Sequence, residues 1–314
     1  MNLSDPATPN GDQRAPDGGQ LDRFLIQQAG VRGVYVRLGD AWRKIRDRMS
    51  DVDAQAPAAI EMLGEAVAAS ALFTGHAKVE GRLSVQLRSQ GTLRTVFAEC
   101  TSRGTVRGIV QLAEEAGPVS RDLRALGDGA MLAITIENPA RGDREPVRYQ
   151  GLVALESPSL SEAFEDYFRQ SEQLPTRLLL AVDDQTAVGL MVQKLPGDAG
   201  DDDGWTRVGA LFDTLGVAEL LEATGETVVL RLFHEDGVEM LGGKPLSFGC
   251  SCSRERVESM LVSLGEYEAL AAAADGEAKV RCEFCGEQYI FTEAEVRTLL
   301  QAHASDLEAP ERSQ

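Results

Sequence analysis

The sequence has few aromatic residues, few cysteines and no long apolar run. Aromatic side chains make up 5% of its 314 residues, so its cores must be built mainly from Leu, Val, Ile and Ala. A membrane-spanning helix requires roughly 18 or more consecutive apolar residues, whereas uninterrupted apolar runs such as residues 178–182 have only the length of a strand. We therefore expect no membrane segment and no membrane partner.

The amino terminus lacks the apolar stretch of a signal peptide. Residues 1–19 instead contain acids and prolines, a composition typical of disordered chain. The sequence therefore predicts a disordered tail over residues 1–19 and a cytoplasmic protein.

Basic residues are also scarce, since Lys and Arg number 31 against 50 Asp and Glu, which gives a formal charge of −19. Nucleic-acid affinity depends on cationic side chains that displace counterions from phosphates, so we expect no nucleic-acid partner. Phosphate-binding loops, dinucleotide fingerprints and nucleophile elbows are absent from the sequence. We therefore expect a protein that is not an enzyme, with no catalytic residue.

Strand and helix patterns predict an α+β domain over residues 20–196. Alternating apolar residues and Gly-containing turns indicate a mainly antiparallel sheet, and Ala-rich or amphipathic periodicity indicates helices. The predicted strands span residues 30–38, 79–99, 104–112, 130–137, 147–155, 176–182 and 187–194, and the predicted helices span residues 22–28, 57–78 and 161–171.

An acidic, Gly-containing run at residues 195–204 marks the end of this domain. Apolar residues then recur at the spacing of an amphipathic helix within residues 206–223, namely Val208, Leu211, Phe212 and Leu215, followed by Leu220 and Leu221. Residues 226–235 fit a strand or a helix, and we favour a helix. The predicted divisions are a helical linker domain over residues 197–245, a small C-terminal zinc-binding domain over residues 246–303 and a tail over residues 304–314.

Four of the five cysteines form two close pairs near the carboxyl terminus. They are Cys250 and Cys252 in a C-x-C motif, and Cys282 and Cys285 in a C-x-x-C motif. Two short ligand pairs that the fold brings together are the usual arrangement of a structural zinc site. Gly286 follows the second pair, where a zinc knuckle often requires a positive φ. We predict one Zn²⁺ per chain, bound by the four cysteines in the reduced protein.

Helix signals follow each cysteine pair. Ser253 is placed to cap a helix directly after the first pair. Thr292 and Glu295 form a capping box that opens a last helix, preceded by an apolar strand over residues 289–291. The metal would therefore join two halves that each carry a helix.

Other interpretations of the cysteine pairs are less favoured. A permanent disulfide is unstable in a reducing cytosol, and pairs spaced so closely cannot all point into one apolar core. One alternative function is a thiol-disulfide oxidoreductase, although the C-x-x-C of such enzymes opens a helix that lowers the thiol pKa, whereas here Gly286 and a strand follow. Another is the structural zinc module of a nucleic-acid-associated factor, which the net charge opposes.

The fifth cysteine and the histidines have no predicted role. Cys100 lies in a strand-like context and is expected to be a buried small residue. His76, His234 and His303 are outside ligand spacing of the cysteine pairs. We expect them at the surface or at helix ends.

A zinc site of this kind is also sensitive to oxidants. Zinc-bound thiolates keep nucleophilic character, so peroxide or hypochlorous acid can attack them. Structural zinc contributes roughly 10 to 16 kcal/mol of apparent folding free energy in small modules, while whole domains are stable by only about 5 to 15 kcal/mol. Loss of zinc on oxidation should therefore unfold the module.

Four blocks of the sequence carry a family resemblance. They are CSCSRER at residues 250–256, CEFCGEQYIF at residues 282–291, EDYFRQSEQLPTRL at residues 165–178 and RYQGLVAL at residues 148–155. Together they resemble the redox-regulated bacterial heat-shock holdases, the thirty-three-kilodalton chaperonin (HslO) family, over about residues 20–302.

The resemblance implies an α+β N-terminal domain, a helical linker domain and a C-terminal zinc domain. It also implies a chaperone that is inactive when reduced and zinc-bound. Oxidation would form disulfides between Cys250 and Cys252 and between Cys282 and Cys285, release zinc, and unfold the C-terminal region and the linker. The active form that it implies is a homodimer that holds unfolding client proteins without ATP.

Overall fold

The chain forms two compact units of mixed α+β structure. The computed structural model describes residues 18–115, 117–140, 145–197 and 199–308, with side chains described up to residue 303. One unit runs to Phe248, and we call it the sheet unit; the other begins at Gly249, and we call it the cysteine unit. The α+β class predicted from the sequence is confirmed.

One ten-stranded sheet forms the framework of the sheet unit. Its strands are β1 (Gly19–Ile26), β2 (Val31–Arg37), β3 (Arg82–Arg88), β4 (Leu93–Thr101), β5 (Thr105–Leu112), β6 (Met131–Asn138), β7 (Val147–Val153), β8 (Thr176–Val182), β9 (Ala187–Lys194) and β10 (Val238–Phe248). Their spatial order is β7-β6-β3-β4-β5-β10-β1-β2-β9-β8. Neighbours pair antiparallel except β5 and β10, which pair in parallel over two residues.

Helices lie on both faces of this sheet. They are α1 (Gly39–Asp47), α2 (Ser50–Gln55), α3 (Pro57–His76), α4 (Leu160–Tyr167), α5 (Gly204–Phe212), α6 (Val217–Glu222) and α7 (Gly225–Phe233). Short 3₁₀ turns span Leu123–Leu126 and His234–Asp236, and a π-helical turn, Phe168–Glu172, follows α4.

Helix α3 is the centre of the larger core. Its many Ala residues and Gly64 let strands approach it closely, and Leu63 and Leu72 are fully buried. A helix that is apolar on nearly every side requires burial all round. By length and composition alone α3 could cross a membrane, but 83% of its most apolar stretch is buried inside the fold. That burial is expected of a helix at the centre of a core.

Helices α5, α6 and α7 form a second core on the opposite face of β1, β2 and β9. Successive strand residues point to opposite faces, so Val34 faces the α3 core while Tyr35 faces this one. The predicted amphipathic stripe is buried here: Phe212 and Leu220 are at most 4% exposed, and Leu211 packs at the edge. The favoured helix over residues 226–235 is confirmed, as α7.

The cysteine unit is small and, within its described residues, contains three helices and one hairpin. Its elements are α8 (Arg254–Leu264), α9 (Glu266–Ala272), β11 (Glu277–Arg281), β12 (Gln288–Thr292) and α10 (Glu293–Glu308). Its apolar core consists of Val257, Leu261, Ala269, Ala273, Ala278, Phe291 and Val296. Three of these seven are alanines, which bury little area each, so apolar packing alone stabilises this unit weakly.

The helix predicted over residues 22–28 is wrong, because residues 22–26 lie in β1 and residues 27–28 lie in the turn that follows it. A bulge between Arg23 and Phe24 shifts the register against β10. Leu21 therefore packs in the α3 core, while Phe24 and Ile26 pack in the second core. Such a break in alternation gives apolar spacings that resemble those of a helix.

Other differences concern segment ends and boundaries. The strand predicted over residues 79–99 is two strands, β3 and β4, and β10 was not predicted. Residues 199–248 belong to the sheet unit, while the division into three domains stays a prediction. Of the predicted tails, Gly19 lies in β1 and residues 304–308 continue α10; residues 1–17 and 309–314 lie outside the described residues.

Candidate metal centre

The first cysteine pair lies in an extended segment directly before α8. The side chain of Ser253 accepts a hydrogen bond from the backbone N–H of Arg256, 3.3 Å away, so it caps α8 as predicted. The guanidinium of Arg256 in turn donates to the Ser251 hydroxyl at 2.8 Å. These contacts fix the backbone on which Cys250 and Cys252 sit.

The second pair lies in the tight turn between β11 and β12. The Gly286 N–H donates to the Cys282 carbonyl, and the Cys282 N–H donates to the Glu287 carbonyl, both at 2.8 Å. Gly286 has φ of 75°, a left-handed conformation that a residue with a Cβ adopts at a cost. The predicted positive φ at this knuckle is therefore confirmed.

The two turns bring all four sulfurs together. The four Sγ atoms lie within 4.8 Å of one another, with Cys250 and Cys282 3.6 Å apart and Cys252 and Cys285 3.3 Å apart. A disulfide would require about 2.05 Å, so all four are free thiols. Zinc–sulfur bonds of about 2.3 Å in a tetrahedron imply sulfur separations of roughly 3.8 Å. The cluster therefore has the size of a four-thiolate metal site.

The electrostatics of the cluster favour a bound cation. Burial by itself raises the pKa of Cys250, but the backbone N–H of Cys252 and hydrogen bonds with the neighbouring thiols outweigh it and lower that pKa to about 7. Burial, together with hydrogen bonds to the other thiols, raises the pKa of Cys285 to about 12. The Cys250 thiolate thus forms readily, whereas Cys282 and Cys285 resist ionisation, mainly because burial disfavours their charged forms. A divalent cation among the sulfurs would remove that resistance.

Tyr289 supports the cluster from β12. Its hydroxyl donates to the Cys252 sulfur at 3.2 Å, and the proximity of that sulfur raises the pKa of the Tyr289 phenol. A hydrogen bond to a ligand atom fixes its orientation and tunes its basicity. The sequence predicts Tyr289 only as part of an apolar strand. Its position four residues after Cys285, on the strand that follows the zinc knuckle, is the sequence feature that could have indicated a contact with the cysteines.

Arg254 connects the two halves of the cysteine unit. Its guanidinium donates to the Ile290 carbonyl at 3.1 Å and to the Glu295 carboxylate at 2.9 Å, and it lies 4.1 Å from the centre of the Phe291 ring. Glu295 also accepts from the Thr292 N–H at 2.7 Å, so the predicted capping box of α10 is present. These contacts link α8 to β12 and α10 beside the sulfurs.

The remaining candidates lie apart from the cluster within the sheet unit or at the surface. Cys100 is fully buried, and burial raises the pKa of its thiol to about 11. His234 and His303 are exposed, as expected. His76 ends α3 as expected, but it is half-buried and bonded to Arg32, a partner 44 residues away that no local pattern indicates.

Comparisons with known proteins agree with this arrangement. The family model described as Hsp33 protein matches residues 19–292. The chain is 38% identical over 298 residues to the 33 kDa chaperonin of Ectopseudomonas mendocina (strain ymp), covering 93% of this chain and 97% of that protein. It is 37% identical over 283 residues to the 33 kDa chaperonin of Chromobacterium violaceum, covering 89% and 93%.

A solved structure has the same fold. The crystal structure of the 33 kDa chaperonin (heat shock protein 33 homolog) from Thermotoga maritima superposes with a TM-score of 0.72 at 24% identity, covering 91% of this chain and 99% of that one. At this identity the likeness concerns the fold alone. The match of the family model and the identity to the two chaperonins place this chain in the Hsp33 family of chaperones.

Proposed function

We propose that this chain is a redox-regulated, ATP-independent holdase that binds one Zn²⁺ through Cys250, Cys252, Cys282 and Cys285 while reduced and inactive. The observation that carries the proposal is the convergence of four sulfurs within 4.8 Å in a member of a chaperone family. Tetrahedral four-sulfur sites suit zinc or iron–sulfur clusters. We favour zinc because two short turns of this kind are typical of structural zinc sites. One is the C-x-x-C turn followed by Gly286 with its positive φ, and the other is the C-x-C segment followed directly by the capped helix α8.

The activating step is the oxidation of four thiolates to two disulfides. With hydrogen peroxide as oxidant, each disulfide forms when two sulfurs give up two electrons to one peroxide, whose O–O bond breaks to give two hydroxide ions. The family resemblance implies that Cys250 pairs with Cys252 and Cys282 with Cys285. In the reduced form, Cys250 and Cys282 also lie within 3.6 Å, so disulfide mapping is a necessary part of the test.

Loss of the thiolate donors would remove the metal and with it much of the stability of the cysteine unit. The small apolar core of that unit supports this step, because three of its seven buried residues are alanines. Cys250 lies two residues after β10, so the chain that unfolds is continuous with the strand at the middle of the sheet. Unfolding of the cysteine unit would therefore remove ordered structure directly after β10, the strand that follows α5, α6 and α7.

The surface offered to clients would be the second core. Helices α5, α6 and α7 bury apolar side chains against the sheet, among them Phe212, Leu220 and Phe233, each at most 4% exposed. If these helices leave the sheet, both the helices and the sheet face beneath become available to apolar segments of unfolding proteins. The net charge of −19 would keep such complexes soluble.

We further propose a cytoplasmic protein that acts as a homodimer when oxidised, without catalysis and without nucleic-acid or membrane partners. The acidic composition supports the absence of a nucleic-acid partner. The oxidoreductase alternative is less well supported, since Cys282 and Cys285 lie in a turn between two strands and burial raises the pKa of both thiols. Disulfide turnover no faster than with a free dithiol would remove that alternative.

The test combines three measurements on the full-length protein before and after peroxide treatment with mild heat. We expect the reduced protein to contain one zinc per chain and four fast-reacting thiols, and the oxidised protein to lack both. The oxidised protein should suppress aggregation of a thermally unfolding test protein without ATP and elute with the mass of a dimer. Mass-spectrometric mapping identifies the disulfides.

A cysteine outside the cluster provides the matched control. Cys100→Ala removes the buried fifth cysteine and should leave zinc content and activation unchanged, whereas Cys282→Ser should abolish stoichiometric zinc binding. Aggregation that is unaffected by the oxidised wild-type protein would disprove the holdase function. Reduced protein that contains no metal would disprove the switch.

A further inference from the structure

A cavity of about 300 Å³ opens into the sheet unit. Residues from β2 and β9 line one side, residues from β3, β6 and β7 line another, and the end of α3 and the π-helical turn complete the wall. Small-molecule sites in proteins begin at about this size. Since one water takes up about 30 Å³ of the liquid, the cavity can hold on the order of ten non-hydrogen atoms.

The sequence block at residues 165–178, which the redox switch does not use, forms part of this wall. It folds as the end of α4, the π-helical turn Phe168–Glu172, and then Gln173 with φ of 55°. Gln173 is the only residue other than glycine with a positive φ among the described residues. Single π turns occur frequently at functional sites, and this one places Phe168, Glu172 and Leu174 on the cavity.

The inner wall of the cavity is apolar and its rim is charged. Phe73, Leu83 and Ile134 line it at 1–4% exposure, while Lys78 and Glu172 are exposed at the opening. The apolar part of a ligand would therefore be transferred from water into the cavity, while its polar end stays near the charged rim.

Arg32 brings a positive charge to the cavity; its hydrogen-bond partners there are uncharged, and the carboxylate of Glu172 acts on it at longer range. Its guanidinium donates to Nε2 of His76 at 2.9 Å and to Oε1 of Gln193 at 2.6 Å. A second hydrogen bond of 2.9 Å, from Gln193 Nε2 to the Thr176 hydroxyl, fixes that amide. Burial, and then the charge of Arg32, lower the pKa of His76 to about 3, so both acceptors are neutral side chains.

Further donors face the same space. The hydroxyls of Tyr149 and Tyr167 lie 3.2 Å apart on the cavity wall. The charged groups that line the cavity are two cations, Arg32 and Lys78, and one carboxylate, Glu172. A half-buried guanidinium with neutral partners attracts a carboxylate, because charge-assisted hydrogen bonds are stronger where water is scarce.

We propose that this cavity is a binding site for a small organic monoanion, a carboxylate attached to an aromatic or branched apolar body. The carboxylate would lie between Arg32 and Lys78, and the body would pack against Phe73 and Phe168. The sheet unit alone supplies every residue of the site, so the proposal is independent of the redox switch.

The test uses hydrocinnamate and its uncharged amide with the reduced full-length protein. Saturation-transfer NMR and ¹H–¹⁵N titration should give saturable binding of hydrocinnamate with a Kd near or below about 1 mM, reasonable for a ligand of this size. The Gln193 side-chain amide should shift during the titration. The amide should bind roughly tenfold or more weakly, because it cannot form charge-assisted bonds with Arg32.

Three variants assign the binding to the cavity. Arg32→Gln should abolish it, whereas Arg169→Gln, the same change at an exposed arginine of the π-helical turn, should leave the Kd unchanged. Ala77→Leu fills the cavity without removing a charge and should also abolish binding. This variant tests the proposal if Arg32→Gln does not fold. Equal affinity for acid and amide, binding unaffected by Ala77→Leu, or no saturable binding would each overturn the proposal.

Discussion

The two units of this chain are stabilised by different interactions. In the sheet unit, strands surround α3 on nearly all sides, and α5, α6 and α7 close a second core on the other face. The cysteine unit has about 60 described residues and seven buried apolar ones. Domains of this size often require a metal or disulfides in addition to their core.

This difference gives the two units different chemical sensitivities. The thiol in the sheet unit, Cys100, is fully buried, and burial raises its pKa to about 11, so it resists oxidants. The thiols of the cysteine unit are partly exposed, and the hydrogen bonds around Cys250 lower its pKa to about 7. An oxidant should therefore react with the thiols of the cysteine unit and leave the thiol of the sheet unit unreacted.

The sharpest way to test this comparison is to remove the metal. Chelation of the reduced protein, or Cys282→Ser, should unfold the cysteine unit with a loss of about 10 kcal/mol or more, while the α3 core of the sheet unit keeps its fold. ¹H–¹⁵N spectra should show collapse of the dispersed resonances of residues 249–308 and of α5, α6 and α7, while those of the α3 core persist. Cys100→Ala is the control. A zinc-free protein with an unchanged spectrum would mean that apolar packing suffices for the cysteine unit.

The reverse experiment weakens the sheet unit and leaves the metal in place. Leu72→Ala removes a fully buried side chain from α3 and should lower the free energy of unfolding of this unit by about 2–5 kcal/mol. Leu230→Ala, at a position that is 40% exposed on α7, should cost less than about 1 kcal/mol. Urea unfolding measures both, and zinc content should stay at one per chain.

The stability of the sheet unit should also depend on pH, through a group that is not a cysteine. Burial raises the pKa of Glu65 to about 7, although Arg121 opposes the shift. A raised folded pKa means that the folded state favours the protonated acid. This pKa shift contributes at most about 3 kcal/mol to the free energy of unfolding. The contribution is fully present below about pH 4.5 and is lost as the pH rises to about 7.

Two matched variants isolate this effect. Glu65→Gln should flatten the pH dependence of the melting temperature between pH 5 and 8. Glu61→Gln, at the more exposed partner of the same arginine, removes only the smallest contribution to the pKa shift of Glu65 and should reduce the slope much less. An unchanged slope in Glu65→Gln would assign the pH dependence to another group.

The smallest expected effect concerns the tuning of the sulfur cluster. Tyr289→Phe removes the hydroxyl that donates to Cys252 at 3.2 Å and should lower zinc affinity about tenfold, or about 1.4 kcal/mol. Peroxide should also oxidise the variant faster. Tyr267→Phe, at a tyrosine that is 83% exposed on α9, is the matched control. A chelator-competition titration measures the difference, and equal affinities would assign no role to the hydroxyl.

Local patterns predicted the convergence of the four cysteines well. Cysteine spacing, the Gly286 conformation and the caps at Ser253 and Thr292 each depend on a few consecutive residues, and all have the geometry expected. The features that were missed depend on distant partners. The β1 bulge makes an alternating strand resemble a helix, and the contact of Arg32 with His76 joins β2 to the end of α3.

The strand β10 was missed for a related reason. Its sequence, VEMLGGKPLSF, contains Gly and Pro and is largely exposed, so neither propensity nor alternation indicates a central strand. Its position depends on pairing with β1, more than 200 residues earlier in the chain.

The position of β10 has a mechanical consequence. It lies between a group of five strands, β7-β6-β3-β4-β5, and a group of four, β1-β2-β9-β8. Its pairing with β5 consists of two residue pairs, Ser247 with Thr105 and Phe248 with Val106. Force transmitted along the chain from the carboxyl-terminal side acts on these two residue pairs before it acts on the pairs between β10 and β1. If the two pairs with β5 open, the two groups of strands lose their direct pairing and stay connected through helices α1, α3 and α4, which contact both groups.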